Sequence, residues 1–491
     1  MGIKRYVAFK DNTVTNAFEA NLKTRGTGSN MGLADSVEVF SIYAQESSAS
    51  NEQTRTLVQF PVSSRDTTNY PNSGLTTIQA DRSAGKIPAS GSVDFYLRLF
   101  NVVTDQTVPR EFTLFVKPIS GAAAVGQWEE GHGLDMENYS DETYNGIGSN
   151  WINRAANTAW SSQGGDFLST PNYSQFFDTG IEDLEINITG LVEDWISDTS
   201  GIPNGGVGIM LTGSEASGSD SYYTKKFSAR GSEYFFNRPI IEARWNSSKK
   251  DNRGNFVVSS STLSAADNLM TIYFYNYFRG QPKDLPNVGT GEIYVKVWSS
   301  ASAGTQLTTT PAPMPVTGGW VATGIYSASF ALYTTESVVY DRWGSGSVCY
   351  HTGSYKPKTF KSSNIYSIPK YITAITNMQP RYCKDDLNRF RVYTRLKNWN
   401  VTNYTVAQAA PQVEIVDNAY YKVYRTIDDK TIINYGTGSL NHTRLSYDAS
   451  GSYFELDMSM LQTGYEYGFN FIYYINGAYE EQPDSFTFRV E

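Results

Sequence analysis

Apolar residues recur at every second position along much of the chain, the pattern of strands that bury one face. Ser36-Val37-Glu38-Val39-Phe40-Ser41-Ile42-Tyr43 alternates in this way, and so do Arg55–Val62, Val93–Asn101 and Phe112–Lys117. Gly, Pro, Asn and Ser separate these short runs, which is the sequence form of a sandwich or jelly roll. One segment departs from period two. In Leu191-Val192-Glu193-Asp194-Trp195-Ile196 the apolar residues fall at i, i+1, i+4 and i+5, which predicts a short helix with Thr189 as its N-cap and Glu193 and Asp194 in the first turn. Strands resume at Gly206–Leu211 and close this block at Ile240–Trp245.

A polar stretch from Asn246 to about Asn255, holding Lys249, Lys250, Asp251 and Arg253, marks a first boundary. Beyond it Thr271–Phe278, Glu292–Trp298, Val338–Trp343 and the residues around Cys349 read as strands, with a Thr- and Pro-rich loop from Thr308 to Pro315. A second boundary falls near Ser367-Ile368-Pro369. The last block holds Phe390–Arg395, Tyr420–Arg425 and Tyr467–Tyr474. The expectation is an all-β chain. Residues 1–246 form an N-terminal jelly-roll sandwich with one short helix, 247–262 a linker, and 263–368 and 369–491 two immunoglobulin-like β-sandwiches. Three domains also suit 491 residues at roughly 100–200 residues each. No heptad run offers a coiled coil.

Composition narrows what such a chain does. Aromatics at 14% and hydrophobics at 40% are ample for packed cores, which excludes global disorder. A net charge of −9 and basic clusters no larger than Lys225-Lys226 and Lys249-Lys250 argue against a grip on nucleic acid phosphates. Three His and two Cys exclude a disulfide scaffold and most zinc sites, and leave few general bases. The two thiols, Cys349 and Cys383, are expected to be free, as suits folding in a reducing compartment. The N-terminal residues show no apolar leader, and no stretch reaches the apolar length of a membrane span, so the expectation is a soluble protein made in a cytoplasm.

Several short motifs follow one another in the first block. They are Arg55-Thr56-Leu57-Val58-Gln59-Phe60, Trp128-Glu129-Glu130-Gly131, and Trp151 and Trp160 ahead of Gly164-Gly165-Asp166. Next come Thr189-Gly190-Leu191-Val192-Glu193-Asp194-Trp195 and Asn204-Gly205-Gly206-Val207-Gly208-Ile209. Phe227-Ser228-Ala229-Arg230 and Arg238-Pro239-Ile240-Ile241-Glu242 complete the series. In order and spacing this half of the chain resembles the DNRLRE-type domain, a jelly-roll module of cell-surface and virion proteins. The Tyr-rich blocks behind it are similar to β-modules appended to that domain in structural proteins of large tailed bacteriophages. The resemblance implies a non-enzymatic virion component, in the neck or collar, a fibre or whisker, or a decoration. It would be made in host cytoplasm and would meet other virion proteins, and further copies of itself, in a symmetric assembly. Neither nucleic acid nor membrane is an expected partner. The alternative from another class is a carbohydrate-binding protein that adheres to host glycans.

Candidate chemistry is sparse, and no cofactor is expected. The loop with Glu129, Glu130, His132, Asp135 and Glu137, continuing to Asp141 and Glu142, is the one carboxylate cluster with a nearby His. It reads as a solvated surface loop, the chemical alternatives being a cation site or the paired carboxylates of a glycosidase. Trp151, Trp160, Trp195, Tyr222 and Tyr223 offer either a sugar-stacking platform or, the favoured reading, core and interface aromatics. The Tyr-rich strands of the last block are the better interface candidates. Cys349 and His351, two apart on a predicted strand, share a face, but no third group orients them as a dyad. No His-Glu-x-x-His, Gly-x-Ser-x-Gly or Walker lysine motif occurs.

Overall fold

The computed structural model describes residues 2–43, 50–63, 76–120, 128–134, 148–197, 202–219, 221–302, 304–310, 315–359, 369–398 and 413–491. The chain divides into two compact units, Gly2–Asn246 and Ser247–Glu491. Both are built from β-sheet, so the fold is all-β. Among the described residues no helix is long and apolar enough to cross a membrane.

The first unit has two large antiparallel sheets and a two-stranded hairpin of Asn153–Ala155 with Thr158–Ala159. One orders the strands Ile3–Val7, Ile240–Arg244, Asp94–Leu99 and Leu184–Asn187. The other orders Tyr222–Ser228, Ser36–Tyr43, Asn51–Gln59, Val207–Met210, Phe112–Pro118 and Tyr173–Phe177, with Lys10–Thr15 also paired to Asn51–Gln59. Alternate residues of both sheets meet in one core: Val37, Val39, Phe95, Leu97, Leu99, Leu114 and Val116 are all buried. Full burial of each such side chain is worth roughly 1.5–3 kcal/mol. The predicted helix forms at Thr189–Ser197 and buries Leu191, Val192 and Trp195. Thr189 does not cap it. Its hydroxyl accepts the Phe95 N–H at 2.8 Å, which fastens the helix to a strand, while Asn187 accepts the Thr189 N–H at 3.0 Å. Two further short helices, Ile78–Ser83 and Ser214–Ser217, have too few residues to show a period in sequence. Arg82 of the first of these forks onto Glu193 through two 2.6 Å bonds.

In the second unit the stretch 247–262, expected as a linker, is built into the fold. Asp251 and Phe256 are buried, and the Asp251 carboxylate caps a 3-10 turn at Asn252–Gly254. Arg253 forks onto fully buried Asp341 at 2.5 and 2.8 Å, and Trp343 Nε1 donates to the same carboxylate at 2.6 Å. Gly353 passes so close that a Cβ there would press on this ion pair. Seven strands between Met270 and Tyr355 join into a sheet that curls over Ile272, Val295, Val297, Phe330 and Trp343, while Tyr277–Phe278 and Gln281–Pro282 form a separate hairpin. The strands from Tyr371 to Val490 instead divide into two sheets, of four and six strands. Phe454 of the four-stranded sheet stacks on its cross-strand neighbour Phe390 at 5.1 Å and, across the gap, on Tyr421 of the six-stranded sheet at 4.4 Å.

Candidate functional site

The acidic loop begins at Trp128, which is fully buried on the opposite side of the large sheet from the main core. Its Nε1 donates to the Gly205 carbonyl at 2.8 Å. Lys10 Nζ lies 4.1 Å from its ring and donates to its carbonyl oxygen at 2.7 Å. The two glutamates that follow turn to donors supplied by the fold. Glu129 Oε2 accepts the N–H groups of Gly148 and Ala156 at 3.1 and 3.0 Å. Arg230 forks onto Glu130 at 2.9 and 2.7 Å, and Asp11 N–H adds a third bond at 2.9 Å. Gly131, at φ +86°, turns the chain there against the Asn30 amide, where a side chain would collide. Both carboxylates thus serve the architecture, and a cation would have to displace these donors. Asp135, Glu137, Asp141 and Glu142 lie outside the described residues.

The acid that neighbours Glu130 is Asp11, which the hydrophobic pattern did not single out. It sits in the strand Lys10–Thr15, all six residues of which are buried although four of the first five carry polar side chains. Arg230 N–H donates to Asp11 Oδ2 at 2.5 Å, and Asn12 donates to the carbonyl and hydroxyl of Ser149, both at 2.8 Å. Burial pushes the Asp11 carboxyl up to about 7, with the Glu130 charge adding to the rise and the Arg230 contacts opposing it. At 1% exposure Asp11 cannot meet a polysaccharide, so this pair is a structural one.

Trp151, Trp160 and Trp195 are 6%, 5% and 2% exposed, so none of them presents a ring to a sugar. Trp151 lies under the Arg55 guanidinium at 4.9 Å, and Trp160 Nε1 donates to the Asn150 carbonyl at 2.8 Å. Tyr223 packs on Phe112 at 5.6 Å. Tyr222 alone of this set is exposed. Cys349 and Cys383 are free thiols. The Cys349 Sγ rests against the His351 carbonyl oxygen at 3.5 Å, and the His351 ring stacks on Phe274 at 5.3 Å. A bulge at Tyr350 interrupts the register between the two residues.

Several surfaces of the described residues are open. On the outer face of the six-stranded sheet Tyr474 and Tyr479 are 41% and 46% exposed, with ring centroids 4.9 Å apart, and Tyr420 meets Tyr479 at 6.1 Å. Beside them the Tyr435 hydroxyl and Lys422 both donate to Glu481, at 2.8 and 3.1 Å, which hold its carboxyl below the ordinary range. Only part of the Tyr-rich sequence reaches this face. Tyr421, Tyr467 and Tyr473 alternate inward, where the Tyr473 hydroxyl bonds Thr373 at 2.7 Å. In the first unit a cleft of about 660 Å³ is lined by Arg55, Lys117, Ser161, Ser162, Asp166 and Phe167. In the second unit a cleft of about 400 Å³ is lined by Tyr294, Lys296, Trp298, Arg342, Val348 and Cys349 among others.

No protein-family model matches the chain, and no curated protein matches it either. Among solved structures it is similar to a chimeric titin Z1Z2-Z1Z2 tandem functionalised with a GRGDS exogenous peptide from fibronectin. That similarity is 8% identity over 45% of this chain and 91% of that chain, at a TM-score of 0.15. It is also similar to the N-terminal Ig1-2 module of Drosophila receptor protein tyrosine phosphatase DLAR, at 9% identity over 45% and 90% with a TM-score of 0.14. Likenesses this slight transfer no property to this chain, and the all-β architecture rests on its own sheets.

Proposed function

We propose that this chain is a non-enzymatic structural protein of a bacteriophage virion that works through protein–protein contacts within a symmetric assembly. The observation that carries the reading is the open tyrosine face of the six-stranded sheet, where Tyr474 and Tyr479 are exposed beside half-buried Tyr435. Tyrosine supplies a large, stiff contact area with a polar tip, and it is enriched where proteins associate. The motif order of the first block, similar to that of DNRLRE-type domains, supplies the virion context. Contacts inside the fold already occupy Glu129, Glu130 and Asp11, which leaves those acids as architecture in this reading.

The test is mass spectrometry and cryo-electron microscopy of purified particles. The chain is expected in a fixed copy number, and a Tyr474→Ala/Tyr479→Ala double variant is expected to fold but to be lost from particles. Particles without the chain would overturn the proposal. The glycan-adhesion alternative draws on the polar cleft at Arg55 and Phe167. Saturable retention on a glycan array, abolished by Phe167→Ala, would favour it instead.

A further inference from the structure

A lysine is folded into the interior of the first unit. In the strand Tyr222–Ser228, Lys225 lies opposite Val39 and two positions before Phe227, both fully buried. The pleat therefore turns its side chain inward, where it is 2% exposed. Its neighbour Lys226 turns outward and pairs with Glu38 at 3.6 Å. Lys225 Nζ instead lies 5.1 and 5.2 Å from the ring centroids of Phe177 and Phe227. It donates to Asn101 Oδ1 at 2.6 Å and to the Gly180 carbonyl at 2.8 Å, and among the described residues no carboxylate reaches it at ion-pair distance. A buried ammonium held by neutral acceptors alone is costly. Burial pushes the Lys225 amine down to about 8, against the pull of the Glu182 and Asp183 charges. About a tenth of it is then neutral at pH 7, and a neutral amine in an apolar site is a nucleophile.

The group that faces this amine is held as firmly. Asn101 follows the strand Asp94–Leu99 of the other sheet. The Phe100 carbonyl accepts the Ser228 N–H at 2.9 Å and the Val102 N–H donates to the Lys226 carbonyl at 3.1 Å, which clamps Asn101 beside Phe227. Asp183 Oδ1 accepts the Asn101 N–H at 2.8 Å. A carbonyl bond is about 1.2 Å long, so the Asn101 amide carbon lies within about 3.8 Å of the amine, close to a near-attack separation. The same loop carries an underused carboxylate. Glu182 Oε1 accepts the Thr179 N–H at 2.7 Å, while Oε2 is buried without a hydrogen-bond partner. Lys358 also donates to an asparagine, Asn255 at 3.1 Å, but in the open, where water competes for both groups.

We propose that Lys225 and Asn101 join in an isopeptide bond that forms within the folded chain and ties the two large sheets of the first unit together. Lys225 Nζ attacks Asn101 Cγ, the new Nζ–Cγ bond forms and the Cγ–Nδ2 bond breaks. One proton passes from the amine to the departing nitrogen, with the Glu182 carboxylate as its carrier, and ammonia leaves. The step needs no oxidant and no further reactant, and it abolishes the buried charge. The bond would link positions 124 residues apart, so it closes a covalent loop around half of the first unit. It lies inside one chain and stands apart from the assembly reading.

Mass spectrometry of the purified full chain, denatured before measurement, reads the bond directly. The expected mass is about 17 Da below that of the sequence, the mass of one ammonia. Digestion of the denatured chain is expected to release a branched peptide that joins a segment holding Asn101 to one holding Lys225. Lys225→Met and Asn101→Ala are each expected to abolish the deficit. Glu182 is only half-buried, so Glu182→Gln is expected to fold, as circular dichroism verifies, and to cut the cross-linked fraction at least about tenfold. The full sequence mass in the wild-type chain would overturn the proposal, whether or not the variants fold. A deficit without the branched peptide, or one that persists in Lys225→Met, would overturn it equally. An undiminished deficit in Glu182→Gln would overturn the role of that carboxylate.

Discussion

Two strands invert the usual relation between polarity and burial. Lys10–Thr15 reads Lys-Asp-Asn-Thr-Val-Thr and is buried along its whole length. Val348–Tyr355 carries no formal charge and is mostly exposed. The difference lies in what surrounds their hydrogen-bonding groups. The first meets a dedicated partner for each polar side chain named above: the Trp128 carbonyl, the Arg230 N–H and Ser149. Among the described residues, the second has one flanking strand and no strand on its other side. Burial in this protein follows the provision of partners, as expected when an unpaired buried polar group costs about 1–3 kcal/mol.

The most severe way to break the polar strand is to remove its cover. Trp128→Ala takes away a fully buried ring together with the surface on which Lys10 rests, and is expected to destabilise the first unit by about 3–5 kcal/mol. Chemical denaturation followed by tryptophan fluorescence measures it, and a loss below about 1 kcal/mol would mean that the strand holds without its lid.

At the opposite edge of the curled sheet, where Arg253 donates to the Tyr273 carbonyl at 3.2 Å, Arg253→Ala leaves the Asp341 carboxylate buried beside Trp343 alone. The expected loss is about 3 kcal/mol, confined to the unfolding transition of the second unit. Amides of Met270–Tyr275 are expected to exchange faster in this variant, approaching the behaviour of the bare edge.

Asp11 sharpens the comparison with the opposite sign. Its folded-state carboxyl is pushed up to about 7, above the ordinary aspartate value of 3.8. The unfolded chain therefore gives up this proton more readily than the folded one, and stability falls as pH rises from about 4 to about 7. Asp11→Asn removes that slope and is expected to raise stability at pH 8 by about 2 kcal/mol while changing little at pH 4. Thermal unfolding at the two pH values checks it, and an equal effect at both would assign the change to packing.

The smallest effect is expected at the bare edge. Thr352→Lys should alter stability by less than about 0.5 kcal/mol, because that residue is exposed and its side chain meets only the exposed Cys349 thiol at 3.8 Å among the described residues, while it gives the edge a charge. A loss above about 1 kcal/mol in a melting curve would show that the edge is covered after all.

These contrasts also explain what could be read from sequence. Ser36–Tyr43 has the bounds its alternation predicts, because one face meets the core and the other does not. The helix at Leu191 and Trp195 was legible for the same reason. Lys10–Thr15 was not, since its burial depends on Trp128, Ser149 and Arg230, more than a hundred positions away, and hydropathy sees only neighbours. The acidic loop was legible as a cluster but not as architecture, because the donors to Glu129 and Glu130 come from Gly148, Ala156 and Arg230. Edge status was equally hidden. Val339–Ser345 and Val348–Tyr355 both read as strands, and only the sheet order tells which of them ends the sheet.

The strand Lys10–Thr15 also sets a clock. Its carboxylate partner Glu130 lies 119 residues further along the chain, and Arg230 lies 219 residues beyond Asp11. Hydrophobic collapse has no hold on so polar a segment, and long-range pairing is slow even when it is favourable. As the ribosome extends the chain, residues 10–15 emerge early and must stay hydrated until Arg230 has followed. The first unit is therefore sealed only after Arg230 has been synthesised, by a segment made 219 residues earlier.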